Sequence, residues 1–228
     1  MFKNLLNFWQ GKDFLTQVMA DFTLMLDHAE NIFTMVSQAL LDNNQPENLK
    51  DDVYKIDKKI NRLQRSIRTR IVEHIALQPS INTNTCLCLM SVVKDAERLG
   101  DYTKNLYEVI ELLDKPIDRE KFHTYFDDMD KSILTLYKET KEAFIQEDGR
   151  KARASYHLEN KLVKECDAIL TKLAQSDLTA NECVCYTLIA RYVKRIAAHL
   201  VNISTSVVLP LSELDYFDEK KAPSEDQS

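Results

Sequence analysis

Residues 86–105 read CLCLMSVVKDAERLGDYTKN, and residues 183–202 read CVCYTLIARYVKRIAAHLVN. The two stretches align without a gap at a spacing of 97 residues (183 − 86). Cys86 falls on Cys183, Cys88 on Cys185, Arg98 on Arg195 and Asn105 on Asn202. Leu87/Val184, Val92/Ile189, Leu99/Ile196 and Leu106/Ile203 keep the apolar positions. Self-similarity at a fixed period means that one supersecondary unit is written twice and stacked on itself. The copies differ in charge: Glu97 and Asp101, four apart and so on one helix face, become Lys194 and Ala198.

The chain around this repeat reads as six long helices. Three glycines and five prolines in 228 residues are too few for the turns of a sheet protein. Pro46, Pro79, Pro116, Gly149 and Pro210 all fall between or after periodic segments, which is helix punctuation. The first helix, about 13–41, carries Phe14, Val18, Phe22, Met25, Ala29, Ile32, Val36 and Leu40 at steps of three and four. The second, about 47–77, carries Ile56, Ile60, Leu63, Ile67, Ile71 and Ile75, and the third runs from a cap at Ser80 or Asn82 to about 114. The fourth is expected as one rod over 119–147, with Phe122, Phe126, Met129, Ile133, Leu136 and Phe144. The fifth covers about 152–174, and the sixth starts at Asp177 or Thr179 and ends before Pro210. The spacing therefore predicts an all-α fold of two tandem three-helix-bundle repeats. They occupy residues 12–115 and 116–210, after an apolar leader at 1–11 and before an acidic, disordered tail at 211–228.

Composition narrows the function. A net charge of −6 and a pI near 5.5 argue against a nucleic-acid partner. No apolar run approaches the ~20 residues of a membrane-spanning helix, and MFKNLLNFWQ lacks the pattern of a cleaved signal; the expected location is cytoplasmic. Each C-x-C pair sits on a helix, where residues i and i+2 diverge by about 200°, so neither pair chelates one ion. The five cysteines read as buried core residues.

The chemistry that remains is in the front copy. Glu97 and Asp101 form an E-x3-D pair on the third helix, and Asp57 and Asn61 sit at the same spacing on the second. Antiparallel packing of these helices brings four oxygen-bearing side chains to one edge of a bundle, a donor set for a hard or borderline cation. Gly100 leaves room for close approach and Asn105 adds an oxygen one turn on. The plainer alternative is a solvated face on which Glu97 and Asp101 pair with Arg98 or Lys104.

AERLGDYTKNLYE at 96–108 resembles the signature of the PhoU family of phosphate-uptake regulators, approximately E-R-hydrophobic-G-D-x-x-x-N. KRIAAHLVNI at 194–203 is similar to the family's second signature with its acids replaced, and YKIDKKINRL at 54–63 resembles the preceding helix of its first repeat. The resemblance spans about residues 12–209. It implies a divalent or trivalent metal in the first repeat only, held by Asp57, Glu97 and Asp101, with Asn61 standing where an acid is usual. In the second repeat it leaves a degenerate site of Glu159, Lys194 and Ala198, with Val163 at the later acid position. There Lys194 is expected to pair with Glu159 and to replace the missing metal charge.

The resemblance further implies a non-catalytic regulator or adaptor of phosphate transport and signalling. Its partners would be a phosphate transporter or sensor kinase at the inner face of the membrane, with peripheral membrane association and homodimerisation among its expected modes. Two alternatives stand beside it: an accessory protein of a cation-coupled phosphate carrier, and a metal-dependent helical-bundle enzyme. Against the enzyme, Glu120 and His123 form the sole E-x-x-H, and nothing resembles a nucleophile with its base, a P-loop or a dinucleotide fingerprint. Arg62, Arg65, Arg68 and Arg70 crowd the second helix; acids on neighbouring helices are expected to make this a salt-bridged face, with phosphate or anionic lipid as the alternative contact. Phe2, Leu5, Leu6, Phe8 and Trp9 of the leader are expected to dock on the bundle or on a second copy of the chain, with a membrane surface or transporter as the alternative.

Overall fold

The computed structural model of the protein describes residues 11–42 and 46–215. The leader at 1–10 and the tail beyond 215 lie outside the described residues. The first repeat holds α1 (Gly11–Asp42), α2 (Leu49–Leu77) and α3 (Thr83–Leu112). The second holds α4 (Arg119–Phe126), α5 (Met129–Gln146), α6 (Gly149–Ala174) and α7 (Ala180–Thr205), and a 3-10 turn, Leu211–Glu213, follows. Within the first repeat α1, α2 and α3 pack pairwise, as α5, α6 and α7 do in the second. Between repeats, α3 lies along α7 and α1 along α5, so helices that correspond in the repeat meet across the centre.

The apolar stripes read from the sequence are the core. Phe14, Val18, Phe22, Met25, Ala29, Ile32, Val36 and Leu40 of α1 are all buried, as are Ile56, Ile60, Ile67 and Ile71 of α2. Helices built on a 3.6-residue period bury one face each, and burial of that face rather than local propensity holds them. At the seam the ring of Phe22 meets Phe144 at 4.7 Å, and Phe33 meets the fully buried Tyr137 at 5.8 Å.

Three features depart from the sequence expectation. The rod expected over 119–147 is broken: α4 ends at Phe126, and Asp127 takes φ 47° and ψ −137° before α5 begins at Met129. The break turns α4 so that Phe122 and Phe126 stack at 4.3 Å and face the edge of Tyr186 at 5.4 and 5.6 Å. α6 begins at Gly149, not near 152, because the Asp148 carboxylate accepts from the backbone N–H groups of Arg150 (2.8 Å) and Lys151 (3.4 Å). A Cβ on Gly149 would stand 2.8 Å from Val208 Cγ1, so glycine is what lets this helix start touch the turn that follows α7. Finally, of the residues assigned to the tail by composition, Leu211–Glu213 form the 3-10 turn against α3, and Leu214 after it is buried.

Candidate functional site

The packing of α2 on α3 places the front-copy acids. Asp57 belongs to the buried stripe of α2 and is 6% exposed. It faces Gly100 of α3, where a Cβ would lie 3.0 Å from Ile60 Cδ1 and 3.5 Å from Asp57 Oδ1. The missing side chain thus brings the two backbones together at the level of the acids. Asp57 Oδ2 accepts from Asn61 Nδ2 at 3.3 Å and from Lys104 Nζ at 3.4 Å, while the buried Oδ1 has no partner among the described residues. Lys104 also donates to Asp101 Oδ1 at 3.1 Å. Arg98 donates to Asp101 Oδ2 at 2.9 Å and lies 3.7 Å from Glu97 Oε2.

All four residues nominated from the sequence, Asp57, Asn61, Glu97 and Asp101, therefore share one edge of the first bundle, and Arg98 and Lys104 of α3 sit among them. Burial pushes the Asp57 carboxyl above the ordinary range, with Asp101 adding to the rise and Lys104 opposing it. Burial does the same to Glu97, reinforced by Asp101. For Lys104, burial works against the ammonium, but the hydrogen bond to Asp101 and the charges of Asp57 and Asp101 outweigh it and raise its pKa. A metal would need these oxygens to converge on a shared point. Among the described residues no three Asp, Glu, His or Cys side chains do so. As arranged, the carboxylates are engaged by Lys104 and Arg98, and the set does not fit a metal cluster.

The second repeat resolves the same positions differently. Lys194 Nζ donates to Asp167 at 2.7 and 2.8 Å, so the ion pair of this lysine is with Asp167 rather than the expected Glu159. The reason is register. Glu159 and Asp167 are eight residues apart on α6, about 12 Å along the axis at 1.5 Å per residue, and Lys194 is level with Asp167. Ala198 is half-buried with no oxygen to offer, and Ala197 takes the place of Gly100.

One polar cluster has no counterpart in the motif reading. Asp95 of α3, 1% exposed, accepts at Oδ1 from His199 Nδ1 (2.7 Å) and Asn202 Nδ2 (3.1 Å) of α7. Asp95 Oδ2 and His199 Nε2 are buried and have no hydrogen-bond partner among the described residues. Tyr102 stacks on His199 at 5.6 Å, and Arg195 lies over the Tyr102 ring and donates to its hydroxyl at 3.2 Å. The signal was present in the repeat alignment, where Asp95 falls on Tyr192 and Tyr102 on His199. The five cysteines are free; Cys86, Cys166 and Cys185 are buried as expected, whereas Cys88 and Cys183 are half-buried.

Comparison with known proteins places this arrangement. The PhoU domain family matches residues 22–110 and 126–207. The phosphate-specific transport system accessory protein PhoU homolog of Clostridium acetobutylicum is 21% identical over 72% of this chain and 78% of its own length. Homolog 1 of Thermotoga maritima is 22% identical over 82% and 86%. The crystal structure of the phosphate transport system regulatory protein PhoU from Streptococcus pneumoniae superposes with a TM-score of 0.75 at 18% identity, covering 89% of this chain and 95% of that one. PhoU from Pseudomonas aeruginosa gives 0.76 at 20%, covering 87% and 97%. At these identities the likeness to solved structures is one of fold.

Proposed function

We propose, on the premise that this chain belongs to the PhoU family, that it is a non-catalytic regulator of phosphate transport. It would work by protein–protein contact with a phosphate transporter or its sensor kinase at the inner face of the membrane. The names of its relatives, phosphate-specific transport system accessory proteins, support the process. The observation that carries the contact mode is the one-sided charged face: Asp57, Glu97 and Asp101 stand together in the first repeat, whereas in the second Lys194 is engaged by Asp167 and Ala198 carries no charge. In this reading Lys104 is the resident cation of the acidic face and takes the part the resemblance gave to a metal. The partner then meets a surface whose charge is set by the protein's own side chains.

The test is retention of transporter and kinase subunits from membrane extracts of cells grown at high and low phosphate. Wild type and Lys194→Ala retain them, and Glu97→Ala with Asp101→Ala loses them. If the double variant retains them and Lys194→Ala does not, the working face is in the second repeat and this reading fails. The adaptor reading, a chain serving a cation-coupled carrier, is favoured by the closed second site and is distinguished by which transporter is retained.

A further inference from the structure

The outer flank of α2 carries cations that form no ion pair with any acid among the described residues, although Lys58 adds to the field at Asp57. Lys55, Lys58, Lys59, Arg62 and Arg65 are all exposed and lie opposite the buried Ile56–Ile60–Ile67–Ile71 stripe. Of the four arginines expected to be salt-bridged, only Arg70 finds an acid within ion-pair distance among the described residues, Asp21 at 3.3 Å. Arg65 reaches no further than the carbonyl of Asn61 on its own helix at 3.2 Å. Arg68 feels the charge of Glu97, yet its buried Nε has no hydrogen-bond partner among the described residues. From Lys55 to Arg65 the row runs about 15 Å along one straight helix. The exposed acids of α2 stand at its ends: Asp51 and Asp52 in the first turn, and Glu73 near the last.

Beyond the cations the same hairpin turns apolar. Val72, Leu77 and Ile81, at the α2–α3 end, are 59%, 65% and 47% exposed. The start of α1 is here too: the Phe14 ring stacks on His74 at 4.0 Å, and His74 Nε2 donates to the Ile81 carbonyl at 3.1 Å.

The geometry points to the outer flank of α2 and the tip of the α2–α3 hairpin as a surface that binds an anionic lipid bilayer. A row of five exposed cations on the outward face of one straight helix suits a plane of headgroup phosphates better than an acidic peptide, and exposed apolar side chains beside it suit the acyl boundary. This surface borders the acidic face, with Lys58 beside Asp57, but it uses none of that face's acids and stands whether or not the regulatory reading does.

Co-sedimentation of the full chain with vesicles tests it. The chain sediments with phosphatidylcholine vesicles containing phosphatidylglycerol, stays in solution with phosphatidylcholine alone, and is released as salt is raised. Lys58→Gln, Arg62→Gln and Arg65→Gln together, at exposed positions that leave the thermal melt unchanged, lower binding about a hundred-fold, at roughly five-fold per cation. Val72→Ser with Leu77→Ser lowers it further. Failure to bind anionic vesicles at low salt overturns the proposal, as does undiminished binding by the triple variant. Capture of polyglutamate by a chain that ignores the vesicles makes the flank a protein-docking site instead. Should the triple variant fold poorly, the salt titration of the unaltered chain decides alone: binding that salt does not weaken overturns the proposal.

Discussion

The two repeats use the same helix to opposite ends. At positions 97 and 101 the first repeat holds two carboxylates beside the buried Asp57 and engages them with Lys104 and Arg98. At 194 and 198 the second holds one lysine on one exposed aspartate and an alanine. The seam between them shows the same division. Under the 97-residue shift, the pairing of Asp95 with His199 corresponds to that of Tyr192 with Tyr102, and the latter is a pair of rings 6.1 Å apart. One end of the seam is thus a buried hydrogen-bonded pair and the other an aromatic pair. Leaving a polar group buried without its partner costs far more than trimming a ring at a partly open edge, so the halves should fail unequally when the same position is cut.

The largest inequality is expected at the seam. Asp95→Ala leaves His199 and Asn202 aimed at nothing inside the protein, and should cost about 3 kcal/mol or more, upward of ~6 °C in melting temperature. Tyr192→Phe, at the corresponding position, should move the melt by less than about 1 kcal/mol. Equal losses in thermal denaturation would show that the seam is symmetric in energy despite its chemistry.

Helix starts differ next. Thr179 and Glu182 form a capping box at α7, and Lys121 (2.9 Å) and Lys115 (3.4 Å) also reach Glu182. The corresponding Asn82 and Thr85 give α3 no side-chain cap. Glu182→Ala should cost ~1–2 kcal/mol, and Thr85→Ala a few tenths. The hydrogen bond from Lys121, followed by those from Thr179, holds the Glu182 carboxyl down to about 2. Because its folded value lies below its unfolded one, this carboxylate stabilises the fold fully above about pH 4.5 and loses that contribution as pH falls toward 2. The difference between wild type and Glu182→Ala should narrow over that window.

The lysines give the third contrast. Lys104→Met leaves the buried Asp57 with Asn61 alone and should cost about 2 kcal/mol. Lys194→Met releases an aspartate that is 54% exposed and should cost less than about 1 kcal/mol. Lys104→Met should also be the variant that takes up a divalent cation in titration calorimetry. Uptake by the unaltered chain of comparable affinity would show that Lys104 is not the resident cation.

How much of this was legible follows from the physics involved. The rods, their stripes and the two-by-three plan were legible, because a 3.6-residue apolar period of this length fits no other structure. The gathering of Asp57, Asn61, Glu97 and Asp101 was legible too, since i,i+4 spacing on two neighbouring helices fixes a shared edge. The α4–α5 break was not: YFDDMD contains neither proline nor glycine, and what favours the break is the distant pocket where Phe122 and Phe126 meet Tyr186. The partner of Lys194 was hidden because composition names acids but not axial register, and two turns along α6 exchange Glu159 for Asp167. That the outer cations of α2 form no ion pair among the described residues was hidden because acids close in sequence need not be close in space.

The smallest effect is the sharpest test of why the first repeat keeps its acids. Asp57 sits in an apolar stripe, its carboxyl is raised by burial, and one of its oxygens has no partner. A carboxylate whose folded pKa lies above the unfolded value weighs against the fold at neutral pH, and the burden lifts as pH falls through the folded value toward the unfolded one near 4. Asp57→Asn keeps the shape and removes the charge, while Lys104 keeps Asp101. The variant should therefore be more stable than wild type at pH 7, by up to about 1 kcal/mol or ~2–4 °C, and the gain should vanish below about pH 4. A group retained against stability is retained for what it meets, and the same variant should lose transporter or kinase retention as it gains stability. If Asp57→Asn is instead less stable at pH 7, Asp57 is a structural partner of Lys104, and the difference between the repeats is one of packing alone.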